Sequence, residues 1–475
     1  MTIVVTFALN AGLTFALGLL VAKFLGPEAF GRYAVALSVA TVINTAAFEW
    51  LRLSATRFYS DRSHRQDAGV RATLTLGYGA VVLTLTALLA AAALLRLDLG
   101  LPTSLLAAAT AAGVGMGLFD YRAALARARF LDRTYAALVL AKNALGFALM
   151  VGGAFAFGDP TLVLYGSALS ALAAILAARR ALADPAARPS LARRDLMAGF
   201  ARYALPLVAA SFVYQLIPLI NRGFLASRFG FAEAGAFSLP ADLGLRLFAT
   251  LGTGMDMVLF QLAVRTDATD GRDAAQAHVA RNLAVVAAVL FPVAAGFWLV
   301  LPSFEALLVP EAFRGSFAGY IALLIPALLA LSLVQYAVNP VFQLGAATAP
   351  VTAAALVALV VNAGLLPVLA ARFGPLGVAA AQAGGFVVAA LVLVALAART
   401  TALPWRDLAL AAVATAAMTA ALWPLRALPP GMAQLTVTTA AGVGIYGVLA
   451  LVFDIAGARA LAARLRTRRA TLSLR

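Results

Sequence analysis

The amino-acid sequence predicts an all-α integral membrane protein of about fourteen transmembrane helices, arranged as two pseudo-symmetric six-helix lobes followed by two C-terminal helices. Three observations carry this expectation. Of 475 residues, 63% are hydrophobic and 12% charged, with a mean hydropathy of +0.94, whereas an ordinary soluble domain carries roughly 25% charged residues. Apolar stretches of the length a bilayer demands, about 20 residues, recur from one end of the chain to the other. A short turn motif also repeats where outgoing helices reverse. Membrane crossing therefore accounts for nearly the whole chain, with little left for an extramembrane domain.

Hydropathy with Gly, Pro and Arg punctuation places the spans at 3–22, 33–52, 72–95, 103–125, 135–157, 160–179, 203–224, 234–261, 282–302, 317–340, 348–371, 375–398, 406–427 and 433–454. Span one lacks the basic flank of a signal peptide and exceeds a typical signal core, so it is expected to be a retained helix. Span two closes on Glu49-Trp50-Leu51-Arg52. Span four carries Gly113-Val114-Gly115-Met116-Gly117, small residues that let helices approach closely rather than a phosphate loop. After span six, the segment 183–202 holds Pro185 and Pro189 among arginines and reads as a cytoplasmic linker between a lobe at 1–182 and a second at 203–398. Spans thirteen and fourteen, within 399–456, fall outside the repeat. The tail 457–475 alternates Arg with Ala and Leu and is expected to lie on the inner leaflet as a short amphipathic helix.

Orientation follows from the basic residues. The net charge of +16 comes from 34 Arg and 2 Lys against 20 acids. With the N-terminus inside, 26 of these cations lie in inward segments and 8 in outward ones, the bias that retains both termini in the cytoplasm. That placement points to anionic membrane lipids as partners and away from nucleic acid. The chain has no cysteine and two histidines, His64 and His278, so no metal, thiol chemistry or cofactor is expected. Both histidines read as solvated loop residues. There is no G-x-x-x-x-G-K-[ST], hence no ATP hydrolysis in this chain.

Lys23-Phe24-Leu25-Gly26-Pro27-Glu28-Ala29-Phe30-Gly31-Arg32-Tyr33 is matched by Arg228-Phe229-Gly230-Phe231-Ala232-Glu233-Ala234-Gly235-Ala236-Phe237, with an offset of 205 at Glu28/Glu233 and 204 at Gly31/Gly235. A weaker third copy, Arg372-Phe373-Gly374-Pro375-Leu376-Gly377, opens another outward hairpin. Spans one and seven are thereby equivalent, giving two six-helix halves of parallel orientation. Transporters so built hold their substrate between the halves.

Charged groups at membrane depth cost about 2.5–3.5 kcal/mol each on insertion scales and are functional candidates by default. Span eight is the most polar, with Asp242, Arg246 and Asp256. Arg246 lies roughly 18 Å along that helix from Ala234, and Asp242, at i−4, can pair with it. Either the pair closes on itself, or Arg246 is a cationic cavity residue held by a counter-charge. Lys142, beside Asn143 in span five, is the corresponding candidate in the first half, or else a lysine snorkelling to the inner interface. Arg222 beside Asn221, and Glu49 with Arg52, read better as interfacial anchors, although Arg222 stays among the site candidates. Asn10, Asn44, Gln215, Asn282, Gln335, Asn339 and Asn362 are neutral polar residues at depth, either interhelical hydrogen bonds or cavity lining. The candidate substrate-binding set is Arg246, Lys142, Asp242, Asn44, Asn10, Gln215 and Arg222.

The Lys23–Tyr33 turn, the Glu49–Arg52 close of span two and Arg372-Phe373-Gly374-Pro375-Leu376-Gly377-Val378-Ala379 together resemble the polysaccharide transport family of repeat-unit flippases. That family belongs to the superfamily that includes the multidrug and toxin extrusion antiporters. The resemblance implies a V-shaped bundle of two six-helix lobes with two accessory helices. It also implies a non-enzymatic flippase moving an undecaprenyl-pyrophosphate-linked oligosaccharide, a unit of lipopolysaccharide, exopolysaccharide or capsule, across the bacterial inner membrane. A cationic cavity is implied, with a coupling cation (Na or H) and neighbouring glycosyltransferases and polymerase as partners. Two alternatives remain open at this point. A cation-coupled drug antiporter would share the fold and favour acidic cavity residues, while a membrane polysaccharide polymerase usually carries a large outward loop.

Overall fold

The computed structural model describes residues 2–59, 67–344 and 349–463, the side chains of 2–10, of some residues in 257–275 and of Leu344 excepted. His64 lies outside the described residues. The described chain is all-helical, with no strand. Thr2–Ile43 (α1) continues through a single π-type turn, Asn44–Phe48, into Glu49–Phe58 (α2). Gly26, at φ 70° and ψ 173°, breaks α1, so this stretch makes two crossings. Only glycine adopts that conformation readily, and Pro27 then opens the next helix, where its missing N–H costs nothing.

Spans three to six are Ala68–Leu94 (α3), Thr103–Ala128 (α4), Asp132–Phe157 (α5) and Pro160–Ala177 (α6). Asp67 and Asp159 cap α3 and α6, accepting from Gly69 N and Thr161 N at 2.7 Å each. Arg194–Phe229 (α7), Phe231–Asp270 (α8) and Arg272–Leu308 (α9) form spans seven to nine and run well past their expected ends. Hydropathy marks only the apolar middle of a helix, while backbone hydrogen bonding continues into its charged ends. Span ten is Ser316–Leu333 (α10), a π-type turn Val334–Val338 and Asn339–Leu344 (α11). Ala349–Phe373 (α12), Leu376–Ala398 (α13), Trp405–Leu422 (α14) and Met432–Val452 (α15) complete the order.

Twelve described helical stretches are long and apolar enough to cross a membrane. Division of the first at Gly26 gives one more crossing, and α8, 40 residues long but more charged, gives the fourteenth. The connection after α6 covers 178–193, and α7 is already helical from Arg194, inside the segment expected to be linker. Of the tail, 458–463 is helical and the remainder lies outside the described residues.

The chain forms two compact units: one of 1–239 with 310–312, the other of 240–309 with 313–475. In the first, Gly113 and Gly117 of α4 pack on Ala40 O and the Phe48 ring, where an added Cβ would meet atoms at 2.8 and 2.4 Å, while Gly115 faces Ala168 of α6. The expected small-residue packing helix is therefore α4. Gly230, between α7 and α8, repeats the extended positive-φ conformation of Gly26 at φ 94° and ψ 164°, and the two turns pack together at Gly31 and Gly235. In the second unit α14 and α15 dock on α9, with Leu299, Met418 and Leu422 in one buried cluster and Ala411, Ala414 and Ile455 in another. Gln434 Nε2 donates to Leu299 O at 3.3 Å, and Arg426 lies 3.8 Å from the Trp298 ring.

Candidate functional site

In the first unit the π-type turn sets the site. A π turn admits one extra residue and often marks functional positions. Here it presents Asn44, whose Nδ2 donates to Asp120 Oδ2 of α4 at 3.3 Å. One turn later Arg52 Nε donates to Glu49 Oε2 at 2.8 Å, and Arg52 Nη2 to Glu49 Oε1. This ion pair is three-quarters buried, at 25% and 21% side-chain exposure, so it is largely covered by its own unit. Asp120 lies within electrostatic reach of Arg52, Glu49 and Lys142. Lys142 of α5 is half-buried with Nζ 5.3 Å from the Phe119 ring. Tyr78 stacks between Phe48 and Tyr121 at 5.5 and 4.2 Å and walls the group on one side.

Asn44 thus bonds Asp120, which the apolar pattern of α4 does not single out, and Lys142 lies within electrostatic reach of the same carboxylate. The group holds two carboxylates and two cations, a mixed set able to donate to and accept from hydroxyl-rich ligands as well as to pair with anions.

Arg222 has a different place. It is 6% exposed on α7, with Nη1 donating to Ser38 Oγ at 2.8 Å and Ala34 O at 3.2 Å. It therefore joins α7 to α1 within the unit. Gln215, two turns earlier, is half-buried. Asn10 belongs to α1, and its side chain lies outside the described residues.

In the second unit Asp242 and Arg246 are half-buried one turn apart on α8. Gly244, between them, packs on Leu328 and Ile321 of α10, where an added Cβ would meet Leu328 Cδ1 at 2.4 Å. Residues two before and two after Gly244 lie about 200° round the helix, so Asp242 and Arg246 occupy the face turned away from α10. Further along, Gly252 packs on Tyr336, Thr253 Oγ1 donates to Tyr336 Oη at 3.2 Å, and Asp256 is half-buried. Asn282 Nδ2 donates to Leu259 O at 3.0 Å, an interhelical bond from α9 to α8. His278 is half-buried on α9 rather than solvated. Among the described residues no group of three or more His, Cys, Asp or Glu is placed to hold a metal ion.

An apolar groove of about 490 Å³ opens between α9, α10 and α14, lined by Phe291, Trp298, Ile325, Leu329 and Thr415 among others.

A family model described as "Polysaccharide biosynthesis protein" matches residues 2–260. No curated protein matches the chain. Among solved structures, "Lipid II flippase MurJ, inward closed conformation" matches with a TM-score of 0.74 at 14% identity, covering 94% of this chain and 98% of that one. An inward-facing multidrug resistance MATE family transporter of the MOP superfamily gives 0.63 at 15% identity, over 82% and 94%. A MOP superfamily transporter from Pyrococcus furiosus gives 0.55 at 16% identity, over 83% and 94%. At these identities the likeness is one of fold: the helices follow the MurJ and MATE arrangement.

Proposed function

Because the chain belongs to the polysaccharide biosynthesis protein family, we propose that it is a flippase. Its cargo is an undecaprenyl-pyrophosphate-linked oligosaccharide, a repeat unit for lipopolysaccharide, exopolysaccharide or capsule, moved from the inner to the outer leaflet of a bacterial inner membrane. The observation that carries the reading is the set of partly buried charged side chains on apolar helices of both units, Glu49, Arg52, Asp120 and Lys142 in one and Asp242, Arg246 and Asp256 in the other. A bilayer tolerates such groups chiefly where they serve a polar cargo or an ion path. Arg246 and Lys142 are the residues proposed for the pyrophosphate, Asn44, Asn10 and Gln215 for the glycan, with Asp242 orienting Arg246 and Arg222 supporting the lobe. The apolar groove on the second unit suits an isoprenoid chain.

In this reading the protein has two six-helix lobes, 1–182 and 203–398, accessory helices within 399–456, and both termini in the cytoplasm. It transports without catalysing bond formation, exchanges its cargo against Na or H, and works beside glycosyltransferases and a polymerase. Loss of the gene is expected to leave single lipid-linked units on the cytoplasmic leaflet. Loss of a polymerase instead leaves them outside, so accumulation on the outer leaflet in the deletion strain would refute the reading.

A second reading has one observation in its favour: the part of α8 expected within the bilayer, 234–261, carries two carboxylates, Asp242 and Asp256, to one guanidinium, Arg246, which suits a cationic drug. Greater sensitivity to lipophilic cations in the deletion strain, with glycan export intact, would establish it instead.

A further inference from the structure

Where α3 begins and α4 and α6 finish, the first unit holds a pocket of about 270 Å³ lined by Arg71, Arg122 and Arg179, with Thr75, Leu182 and Asp184 among the rest. Three guanidiniums, from α3, α4 and the connection after α6, thus converge on a space supplied with one carboxylate. That carboxylate is already engaged, since Tyr59 Oη donates to Asp184 Oδ2 at 3.1 Å. Burial, and then the Asp184 charge, push the Tyr59 phenol up from its ordinary value, so it stays a neutral donor.

Some of these cations have structural work. Arg71, 5% exposed, donates through Nη2 to Leu182 O at 3.2 Å and lies 5.2 and 5.8 Å from the Tyr121 and Tyr59 rings. Nearby, Arg129 Nη1 donates to Ala181 O and Ala183 O at 3.3 and 3.4 Å. These bonds pin the connection after α6 to the lobe. Pinning explains neither Arg122 nor Arg179. Arg122 is half-buried with its guanidinium 5.6 Å from the Tyr121 ring, and Arg179 stands exposed at the rim. Gathering like charges in a partly desolvated space is unfavourable unless a counter-charge enters.

We propose that this pocket binds a phosphate-bearing anion, whose oxygens are taken by Arg122 and Arg179 over a floor made by Arg71. A planar guanidinium fork matches phosphate oxygens in pairs. The volume sits just under the roughly 300–1,000 Å³ of small-molecule pockets, enough for a phosphate or headgroup and too small for a glycan. The same chemistry is offered by the headgroup of an anionic phospholipid and by soluble phosphate or pyrophosphate. The site is independent of the flippase reading and stands whatever the cargo.

The test uses the full chain in nanodiscs of pure phosphatidylcholine, titrated with inorganic pyrophosphate, and in parallel nanodiscs containing phosphatidylglycerol without added phosphate. Unfolding temperature and native-mass adducts are read for the wild type, for Arg122→Gln with Arg179→Gln, and for Arg399→Gln as an exposed control. Wild type and control should be stabilised in at least one arm, and the double variant should bind roughly tenfold or more weakly, as loss of charge-assisted contacts implies. Stabilisation by pyrophosphate identifies a soluble ion, and stabilisation by phosphatidylglycerol alone identifies the headgroup. If the double variant misfolds in phosphatidylcholine, Arg179→Glu, altering only the exposed rim residue, must weaken binding in its place. Equal binding by wild type and variants, or none in either arm, overturns the proposal.

Discussion

Gly31 and Gly235 stand in a reciprocal relation: each opposes the carbonyl of the residue four places before the other. A Cβ built on Gly31 would lie 1.8 Å from Phe231 O, and one built on Gly235 would lie 2.0 Å from Pro27 O. Gly26 and Gly230, Pro27 and Phe231, and Gly31 and Gly235 are all 204 residues apart, so the two copies of the motif meet as mates across a local two-fold relation. No side chain larger than hydrogen leaves this contact intact.

Gly31→Val or Gly235→Val should therefore force the two turns apart. Overpacking costs about 1–3 kcal/mol even where side chains can yield, and here the obstacle is backbone. A fall in thermal unfolding temperature together with loss of export is expected from either change. Unchanged stability in both would show that the turns do not need to touch.

For α8 the decisive comparison is between one charge removed and two. Arg246→Ala should impair export far more than Arg399→Ala, an exposed residue at the end of α13. Asp242→Asn with Arg246→Gln should reach the membrane at normal levels and still fail to export. Normal glycan export by that double variant would make the pair scaffold, and Lys142 the next candidate for the anionic cargo.

Asn44 and Asp120 should behave as a coupled pair. In a double-mutant cycle of Asn44→Ala and Asp120→Asn, read by unfolding temperature and by export, the effects should fall short of additivity by about 0.5–3 kcal/mol. Strict additivity would mean that the 3.3 Å bond contributes nothing.

Arg222→Gln should destabilise the fold, because bonds from a buried cation to Ser38 and Ala34 are lost. Roughly 1.5–3 kcal/mol is the scale of one charged hydrogen bond. Thermal denaturation in detergent measures it, and a folded variant with normal melting but defective export would instead place Arg222 in cargo binding.

Reporter fusions test the orientation. The 26-to-8 basic bias predicts that fusions after Gly457 and within 183–193 report the cytoplasm, while a fusion near Asp98 reports the far side.

Span order was legible because a bilayer imposes one length on every helix, and apolar residues reveal that length directly. The turn motif was legible because Gly26 and Gly230 require a conformation that only glycine takes cheaply. The charged cluster was less so. Glu49 and Arg52 read as interfacial and Asp120 has no sequence signal of its own, since whether a charge on a helix is solvated depends on which neighbours cover it. Arg71 and Arg122 read only as orientation signals for the same reason, although α4, the aromatic stack and the connection after α6 enclose them. Nothing in the apolar periodicity announces a π-type turn, which changes helical phase without interrupting the helix.

That change of phase makes the cluster sensitive to the winding of a single turn. Were Asn44–Phe48 to tighten into ordinary α-helix with no residue lost, everything beyond it would swing by about 100°. Glu49 and Arg52 would be carried off together, still paired with each other but no longer facing α4. Loss of one residue from the turn, Ala46 for instance, has the opposite result, since the shortened turn closes as α-helix and leaves the pair where it was. Among relatives, a one-residue gap at this turn should therefore keep the polar group together, whereas a gap later in α2 should take it apart.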